Sequence, residues 1–156
     1  ITLHGRPASN FHTGPIDLEA FAKTAAAVKI PVFGNGGVRG ADDAAKIFEA
    51  GCAGVAIGRA AVGDPGVFAD VAEGLGGKGP AASRSTEQKI RLFIRFLELN
   101  TALYGPEQGV VRARKLVGYW LKGFPRSSAL RASFMKAGTL PEAEALLVQY
   151  LESIKQ

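Results

Sequence analysis

Two short motifs place glycine and arginine where an anion could be bound. Gly36 and Gly37 follow the apolar segment PVFGN, and Gly58 and Arg59 end the segment GVAIGR. Glycine lacks a Cβ atom, so backbone N–H groups at such positions can approach a phosphate closely. The Arg59 guanidinium can add a charge-assisted, bidentate contact to the same anion. The two motifs together indicate a phosphate site, although either motif alone is equally consistent with a tight turn.

These motifs follow predicted strands of a parallel β-sheet. Short apolar segments at 1–5, 30–35 and 54–59 predict strands, and residues 17–28 and 41–50 carry apolar positions at helical spacing. Strands that alternate with helices run parallel, because a crossover of that length suits a parallel connection. Ligands bind where the carboxyl ends of such strands converge. The pattern predicts an α/β fold. The three strands would be part of either a doubly wound sheet or a (β/α)8 barrel.

Composition and charge limit the classes of protein that this chain could be. It is 47% hydrophobic and 21% charged, as globular proteins are, and no apolar segment approaches the roughly 20 residues of a membrane helix. The single cysteine, Cys52, excludes an internal disulfide and a multi-cysteine metal site, and it suits a reducing compartment. Residues 1–80 carry 7 Lys and Arg against 8 Asp and Glu, whereas residues 81–156 carry 12 against 6. The basic character therefore belongs to the second half.

The second half predicts a small helical domain that follows a linker. Residues 76–86 are rich in Gly, Pro, Ala and Ser and lack periodicity, which is typical of a linker. Ser85 and Gln88 form a capping-box pattern before a first helix, and Thr139 with Glu142 repeats it before the last one. Apolar residues at helical spacing predict the inward stripe of the first helix: Ile90, Phe93, Ile94 and Leu97.

A second helix is predicted over 107–122, with a basic arc on its surface. At about 100° per residue, one arc carries three cations and a tyrosine: Arg112, Lys115, Lys122 and Tyr119. Arg114 points elsewhere, and Trp120 lies on the apolar face and is expected in the core. Cations with an aromatic residue among them are the expected footprint for an RNA backbone. An ordinary solvated face is the alternative interpretation.

Three segments, ITLHGR, PVFGNGGVRGADDAAKIFEAGCAGVAIGRAAVGDPGVF and GVVRARKLVGYWLKGFP, resemble the carboxyl-terminal half of a bacterial tRNA-dihydrouridine synthase. The resemblance covers nearly the whole chain. It implies that residues 1–75 are the last three β/α units, strands six to eight, of an FMN-binding (β/α)8 barrel, that 76–86 is the linker, and that 87–156 is a helical tRNA-binding domain. The sequence starts within a predicted strand, so we expect the first half of the barrel to lie outside this chain.

The resemblance also implies site residues. The FMN phosphate would be bound by the two strand-end motifs: Asn35, Gly36, Gly37, Gly58 and Arg59. His4 would lie beside the flavin, where a ring N–H could reach the flavin or its phosphate, and Arg6 would contact RNA. After HGR the loop departs from the family pattern, since Ala8 and NFHT replace a second arginine and an aromatic residue. His12, in that loop, has no partner spacing for a metal, and no metal site is expected.

The implied reaction is reduction of the uridine C5=C6 bond in tRNA. Reduced FMN, replenished by NADPH or NADH, gives a hydride, and a cysteine from the earlier half of the barrel gives a proton. No catalytic residue is therefore expected in this chain, and Cys52 is expected to be a buried filler. The implied setting is the cytoplasm, with tRNA, FMN and the missing barrel half as partners and no membrane. Two alternatives stay open: an RNA-binding or scaffold fragment with an incidental phosphate site, and a fragment of another phosphate- or FMN-binding barrel enzyme.

Overall fold

A computed structural model describes residues 1–10, 13–78 and 83–155, and the chain divides into two compact units. The first unit comprises Ile1–Ala61 and Pro65–Ala82. The second comprises Val62–Asp64 and Ser83–Gln156. The first unit is an α/β structure with a small parallel sheet, and the second is helical.

The sheet of the first unit has three parallel strands. These are β1, Thr2–His4, β2, Phe33–Asn35, and β3, Gly54–Ala56, paired in the order β1-β2-β3. Each strand lies within a predicted segment but is shorter than predicted. His4 pairs with Asn35 and Asn35 with Ala56, so the three strands end in register.

The helices of this unit cover one face of the sheet. They are α1, Leu18–Ala27, α2, Ala41–Glu49, and α4, Val67–Leu75, whereas α3, Arg59–Gly63, begins in this unit and ends in the second. The first two confirm the predicted helices, whereas α4 was not predicted although Val67 and Val71, four residues apart, are both buried. Asp17 starts α1, because its side chain accepts a 2.9 Å hydrogen bond from the Ala20 N–H.

The two faces of the sheet differ. Leu3 and Val55 pack into the helix-side core with Phe21 and Ile47, and a Cβ at Gly34 would overlap the Ile47 side chain. Successive strand residues point to opposite faces. The other face therefore carries Thr2, His4 and Phe33, all exposed, with the half-buried Asn35 and Ala56.

The second unit is built from five further helices within the described residues. They are α5, Thr86–Tyr104, α6, Pro106–Ala113, α7, Val117–Trp120, α8, Ser127–Phe134, and α9, Leu140–Ser153. Both predicted capping boxes, Ser85 with Gln88 and Thr139 with Glu142, are present. The predicted stripe of α5 is confirmed, since Ile90, Phe93 and Leu97 are buried and Ile94 packs against the same core.

The prediction of one helix over 107–122 is wrong. Helix α6 ends at Ala113, a 3-10 turn follows over Arg114–Leu116, and Lys122 lies beyond the end of α7. A 3-10 turn advances about 120° per residue, so an arc drawn at helical spacing does not continue through it. The burial pattern survives the interruption, because Val110, Ala113, Val117 and Trp120 are all buried.

The predicted linker, 76–86, falls partly on residues 79–82, which lie outside the described residues. Helix α4 ends at Leu75, just before it. At its other end, the Arg84 guanidinium forms a 2.7 Å ion pair with Asp64, and Ser85 caps α5. Arg84 and Ser85 are therefore held within the second unit.

Candidate functional site

The carboxyl ends of the three strands bring most of the predicted phosphate-binding residues to one edge of the sheet. Because His4, Asn35 and Ala56 are in register, the segments that follow them leave the sheet from neighbouring positions. Gly36 and Gly37 follow β2 directly, and Gly58 lies two residues beyond β3. Arg59 is the first residue of α3.

The Gly36–Gly37 turn requires glycine at both positions. The φ angles are +134° at Gly36 and +71° at Gly37, in the region that side chains disfavour. A Cβ at Gly36 would lie 3.0 Å from Cγ2 of Ile16, and one at Gly37 would lie 3.3 Å from Nη2 of Arg6. The fold therefore disfavours side chains at both positions, and of the two glycines Gly36 is buried and Gly37 is exposed.

Gly58 differs, because the described structure gives no internal reason for glycine there. Its φ is outside the left-handed region. An added Cβ would meet no heavy atom of the described residues within 4 Å. A glycine that neither conformation nor packing requires leaves an open approach to the backbone, as a bound ligand would need.

Arg6 lies against the glycine turn. Its Nε donates a 2.7 Å hydrogen bond to the Gly14 carbonyl oxygen, and Nη1 lies 3.5 Å from the position of a Cβ at Gly36. Nη1 is buried and has no hydrogen-bond partner within the described part of the chain. Arg6 belongs to the first unit, whereas the other predicted RNA-binding residues belong to the second.

A row of hydrogen bonds crosses the sheet at the same edge. Nδ1 of His4 lies 2.7 Å from Oδ1 of Asn35, and Nδ2 of Asn35 donates a 2.8 Å hydrogen bond to the Ala56 carbonyl oxygen. The Asn35 side chain thus contacts both neighbouring strands. The sequence placed Asn35 near a phosphate but gave no sign of this contact, because strand register cannot be read from the separate segments.

Cys52 lies in the helix-side core and is 5% exposed. Its Sγ is 3.4 Å from the position of a Cβ at Gly34, whose neighbours are helix-side residues. Burial raises the pKa of the Cys52 thiol, which disfavours the reactive thiolate. The prediction of a buried filler is confirmed.

The four residues of the predicted basic arc are all exposed on the second unit: Arg112, Lys115, Tyr119 and Lys122. Tyr119 is 52% exposed. The Arg112 guanidinium carbon lies 4.4 Å from the ring centre of Tyr104, a cation–π contact. The sequence analysis did not predict this contact of Tyr104. Tyr104 ends α5 and Arg112 lies in α6, so no spacing within a single helix connects them.

Arg114 is half-buried and turned away from this exposed set, as expected. Its Nη2 donates a 2.8 Å hydrogen bond to the Ala137 carbonyl oxygen within the second unit. Trp120, 3% exposed, stacks on Phe93 with a centroid distance of 5.0 Å. Arg114 therefore contacts backbone within the second unit, and Trp120 is part of the core of that unit.

Two negative findings apply to the described ranges. No helix there is long and apolar enough to span a membrane. No group of three or more His, Cys, Asp and Glu side chains there is arranged to hold a metal ion. His12 lies outside the described residues.

A small parallel sheet packed against helices, with glycine turns and an arginine at adjacent strand ends, defines an α/β protein. The sequence model of the family described as Dihydrouridine synthase (Dus) matches residues 1–155. The chain belongs to the dihydrouridine synthase family, which confirms the resemblance seen in the sequence.

Individual proteins similar to this chain carry names of the same family. A probable tRNA-dihydrouridine synthase of Mycobacterium tuberculosis is 36% identical over 94% of this chain and 38% of the relative. A tRNA-dihydrouridine synthase B of Xanthomonas campestris is 35% identical over 99% of this chain and 47% of the relative. One of Pseudomonas aeruginosa is 38% identical over 86% and 41%, respectively. The chain spans less than half the length of these curated relatives.

Proposed function

We propose that this chain is the carboxyl-terminal part of an FMN-dependent tRNA-dihydrouridine synthase. The whole protein would reduce the C5=C6 bond of a uridine in tRNA, in the cytoplasm. Family membership over residues 1–155 supports this, as do the names of the relatives. The first unit would be the last three β/α units of a (β/α)8 barrel. The exposed sheet face, with Phe33 at 42% exposure, supports that arrangement, because it offers apolar area for further strands to cover.

The observation that carries the proposal is the pair of glycine motifs at adjacent strand ends. FMN fits this edge through its phosphate, which would be bound by the backbone of Gly36, Gly37 and Gly58 and by Arg59. Open space above Gly58 admits such a group. Arg6 adds a second cation beside the turn, so we assign it to the phosphate region rather than to RNA.

When bound and reduced by NADPH or NADH, FMN would supply the hydride. The residues of this chain bind and orient: the strand ends hold the phosphate, and His4 lies on the same edge of the sheet. Cys52 does not supply the proton, because it is buried among helix-side residues. We therefore place the proton donor in the part of the barrel that this chain does not contain.

The second unit would bind the tRNA backbone. Arg112, Lys115 and Lys122 are exposed, and residues 81–156 carry twice as many basic as acidic residues. Cations that neutralise phosphates release counterions, which gives sequence-independent affinity. Tyr119 could stack on a base or donate a hydrogen bond.

Flavin content of the purified full-length protein tests the phosphate site. Arg59→Ala should weaken FMN binding by roughly 1.5–3 kcal/mol, the scale of a hydrogen bond to a charged group. Gly58→Ala should also weaken it, because the added methyl would occupy the ligand's approach. Gly118→Ala is the matched control, since a Cβ there likewise meets no neighbour within 4 Å but lies in the helical unit.

The outcomes separate the candidate functions. Unchanged flavin content in both site variants would refute the phosphate assignment. A full-length protein that binds tRNA but carries no flavin would favour the RNA-binding or scaffold alternative. Flavin without formation of dihydrouridine in tRNA would favour a different barrel enzyme.

A further inference from the structure

A groove runs between helices α8 and α9 of the second unit. It consists of two depressions of about 400 and 300 Å³. Ser133, Leu146 and Gln149 line both depressions, which therefore form one continuous surface, the α8–α9 groove. Leu146 packs against the helical core, whereas Ser133 and Gln149 are exposed. The groove thus has an apolar floor and polar walls.

A cation lies at each end of the α8–α9 groove. Arg126, which precedes α8, lines one depression, and Lys136, which follows α8, lines the other. Their backbones are roughly 15 Å apart, at 1.5 Å for each residue of a helix. No ion pair involves either side chain within the described part of the chain. The spacing of the two charges suits an anion with several charges better than a single phosphate.

The acidic residue of the groove is already bonded within the chain. Glu142 is the one acid among the described lining residues, and its carboxylate accepts hydrogen bonds of 2.8 and 3.2 Å from the N–H groups of Gly138 and Thr139. It lies in the first turn of α9, where the helix dipole favours a negative charge. The remaining polar lining is Arg, Lys, Ser, Gln and Tyr, and these residue types contact phosphates in nucleic-acid complexes.

Arg126 has an unfavourable backbone conformation. Its φ is +51°, and among the described residues it is the only one other than glycine with a positive φ. Glycine adopts this conformation without steric cost. The Tyr150 hydroxyl donates a 2.7 Å hydrogen bond to the Pro125 carbonyl oxygen, so α9 holds the segment that precedes Arg126. An arginine where glycine would fit more comfortably indicates a use for its side chain.

We propose that the α8–α9 groove binds a segment of RNA backbone, with Arg126 and Lys136 on phosphates and with Ser133 and Gln149 as hydrogen-bond donors between them. The identity of the RNA as tRNA rests on the proposed function. The groove is a second contact surface, because none of its lining residues belongs to the exposed set of residues 112–122. Each surface neutralises phosphates of its own.

Titration of labelled tRNA against the full-length protein at several salt concentrations tests the proposal. A variant with both Arg126→Gly and Lys136→Ala should bind more weakly, with a salt slope shallower by up to about 2 units, one for each lost phosphate contact. Arg131→Ala is the matched control, since Arg131 is an exposed cation of α8 that lines neither depression, and it should leave the slope unchanged.

Further variants separate binding from folding. Arg126→Gly relieves the backbone conformation, so its urea midpoint should not fall, whereas Arg126→Lys keeps the charge and should retain most of the binding. Gln149→Glu places a carboxylate in the middle of the groove and should weaken tRNA binding. Val148→Glu, at the neighbouring exposed residue outside the groove, is its control and should weaken binding less.

The outcomes separate this inference from the proposed function. If the wild type binds tRNA and the groove variants bind it equally well, the inference fails and the proposed function stands. If the groove variants lose tRNA binding but the full-length protein carries no flavin, the inference stands and the proposed function fails. A full-length protein that binds no tRNA would overturn both. Loss of poly-glutamate binding in the groove variants, with tRNA binding unchanged, would assign the groove to an acidic peptide and overturn the inference.

Discussion

The two units of the chain bury their apolar residues in different ways. The first unit packs its core on one face of a three-stranded sheet and leaves Phe33, Thr2 and His4 exposed on the other. The second unit surrounds a core of stacked aromatic rings, with Phe93 5.0 Å from Trp120 and 5.2 Å from Phe134. In the first unit the candidate chemistry lies on the exposed face and its edge. In the second it lies on the outer surface, away from the core.

This contrast indicates which substitutions each unit can tolerate without losing its fold. The helical unit depends on aromatic packing and can lose surface cations with little effect on its fold. The sheet unit depends on close backbone approach, because Gly34, Gly36 and Gly54 all have neighbours where a Cβ would lie. In the helical unit, substitutions of surface cations should therefore change binding without changing stability. In the sheet unit, substitutions of these glycines should change stability.

The largest effect is expected from Phe93→Ala. Phe93 is 1% exposed and stacks on the rings of Phe96, Trp120 and Phe134, so its truncation should reduce the free energy of unfolding by about 3–5 kcal/mol. Urea unfolding followed by fluorescence of Trp120, the single tryptophan of the chain, measures this. Phe68→Ala, at a residue 55% exposed in the first unit, is the control and should cost far less. Equal losses would contradict the contrast between the units.

Arg114→Ala should have the next largest effect. It removes the hydrogen bond to the Ala137 carbonyl and the packing of a half-buried stem, and we expect a loss of about 1–2 kcal/mol in the free energy of unfolding. Lys115→Ala, next in sequence but exposed, should change it by less than about 0.5 kcal/mol. Chemical denaturation of the two variants checks the difference. A larger loss for Lys115 would place the structural role on the wrong residue.

Self-association of the chain tests the exposed sheet face. Both β1 and β3 are edge strands of the sheet, and unpaired edges are templates for pairing. We expect the isolated chain to associate, and Phe33→Lys to weaken association by about tenfold, or ~1.4 kcal/mol. Leu103→Lys, at a residue 72% exposed on the helical unit, should not. Sedimentation that shows a single monomeric species for the unmodified chain, with cooperative unfolding, would count against the half-barrel interpretation.

The smallest effect should appear at low pH in the last helix. Backbone hydrogen bonds from Gly138 and Thr139 lower the pKa of the Glu142 carboxyl. A carboxyl with a lowered pKa in the folded state stabilises the fold at neutral pH, and this contribution is lost as pH falls through that pKa. Urea midpoints of the wild type should therefore decline more on acidification than those of Glu142→Gln. Parallel declines would show that the capping carboxylate contributes no pH dependence.

Local patterns predicted the elements better than the contacts between them. Capping boxes and apolar spacing located α1, α2, α5 and α9, since those signals lie within one segment. The interruption at Arg114–Leu116 was not foreseen, because RARK shows no proline or glycine that would mark a change of helix type.

The candidate site was predictable only in part. Gly36, Gly37, Gly58 and Arg59 stand out as residue types at strand ends. The position of Arg6 against the turn depends on how the loop through Gly14 folds back, and the His4–Asn35–Ala56 contacts depend on strand register. Neither follows from spacing along the chain.

The proposed function gives the two units separate roles, with flavin bound at the strand ends and tRNA bound by the helical unit. Titration of labelled tRNA at several salt concentrations tests it most directly, with the full-length protein and a variant in which Arg112, Lys115 and Lys122 are all alanine. We expect this variant to bind tRNA more weakly, with a salt slope shallower by up to about 3 units, one for each lost phosphate contact, and with flavin content unchanged. A control with the same loss of charge replaces Lys23, Lys29 and Lys46, exposed lysines of the first unit, and should alter the slope less. An unaltered slope in the first variant, or an equal change in the control, would show that these three cations do not form the tRNA-binding surface.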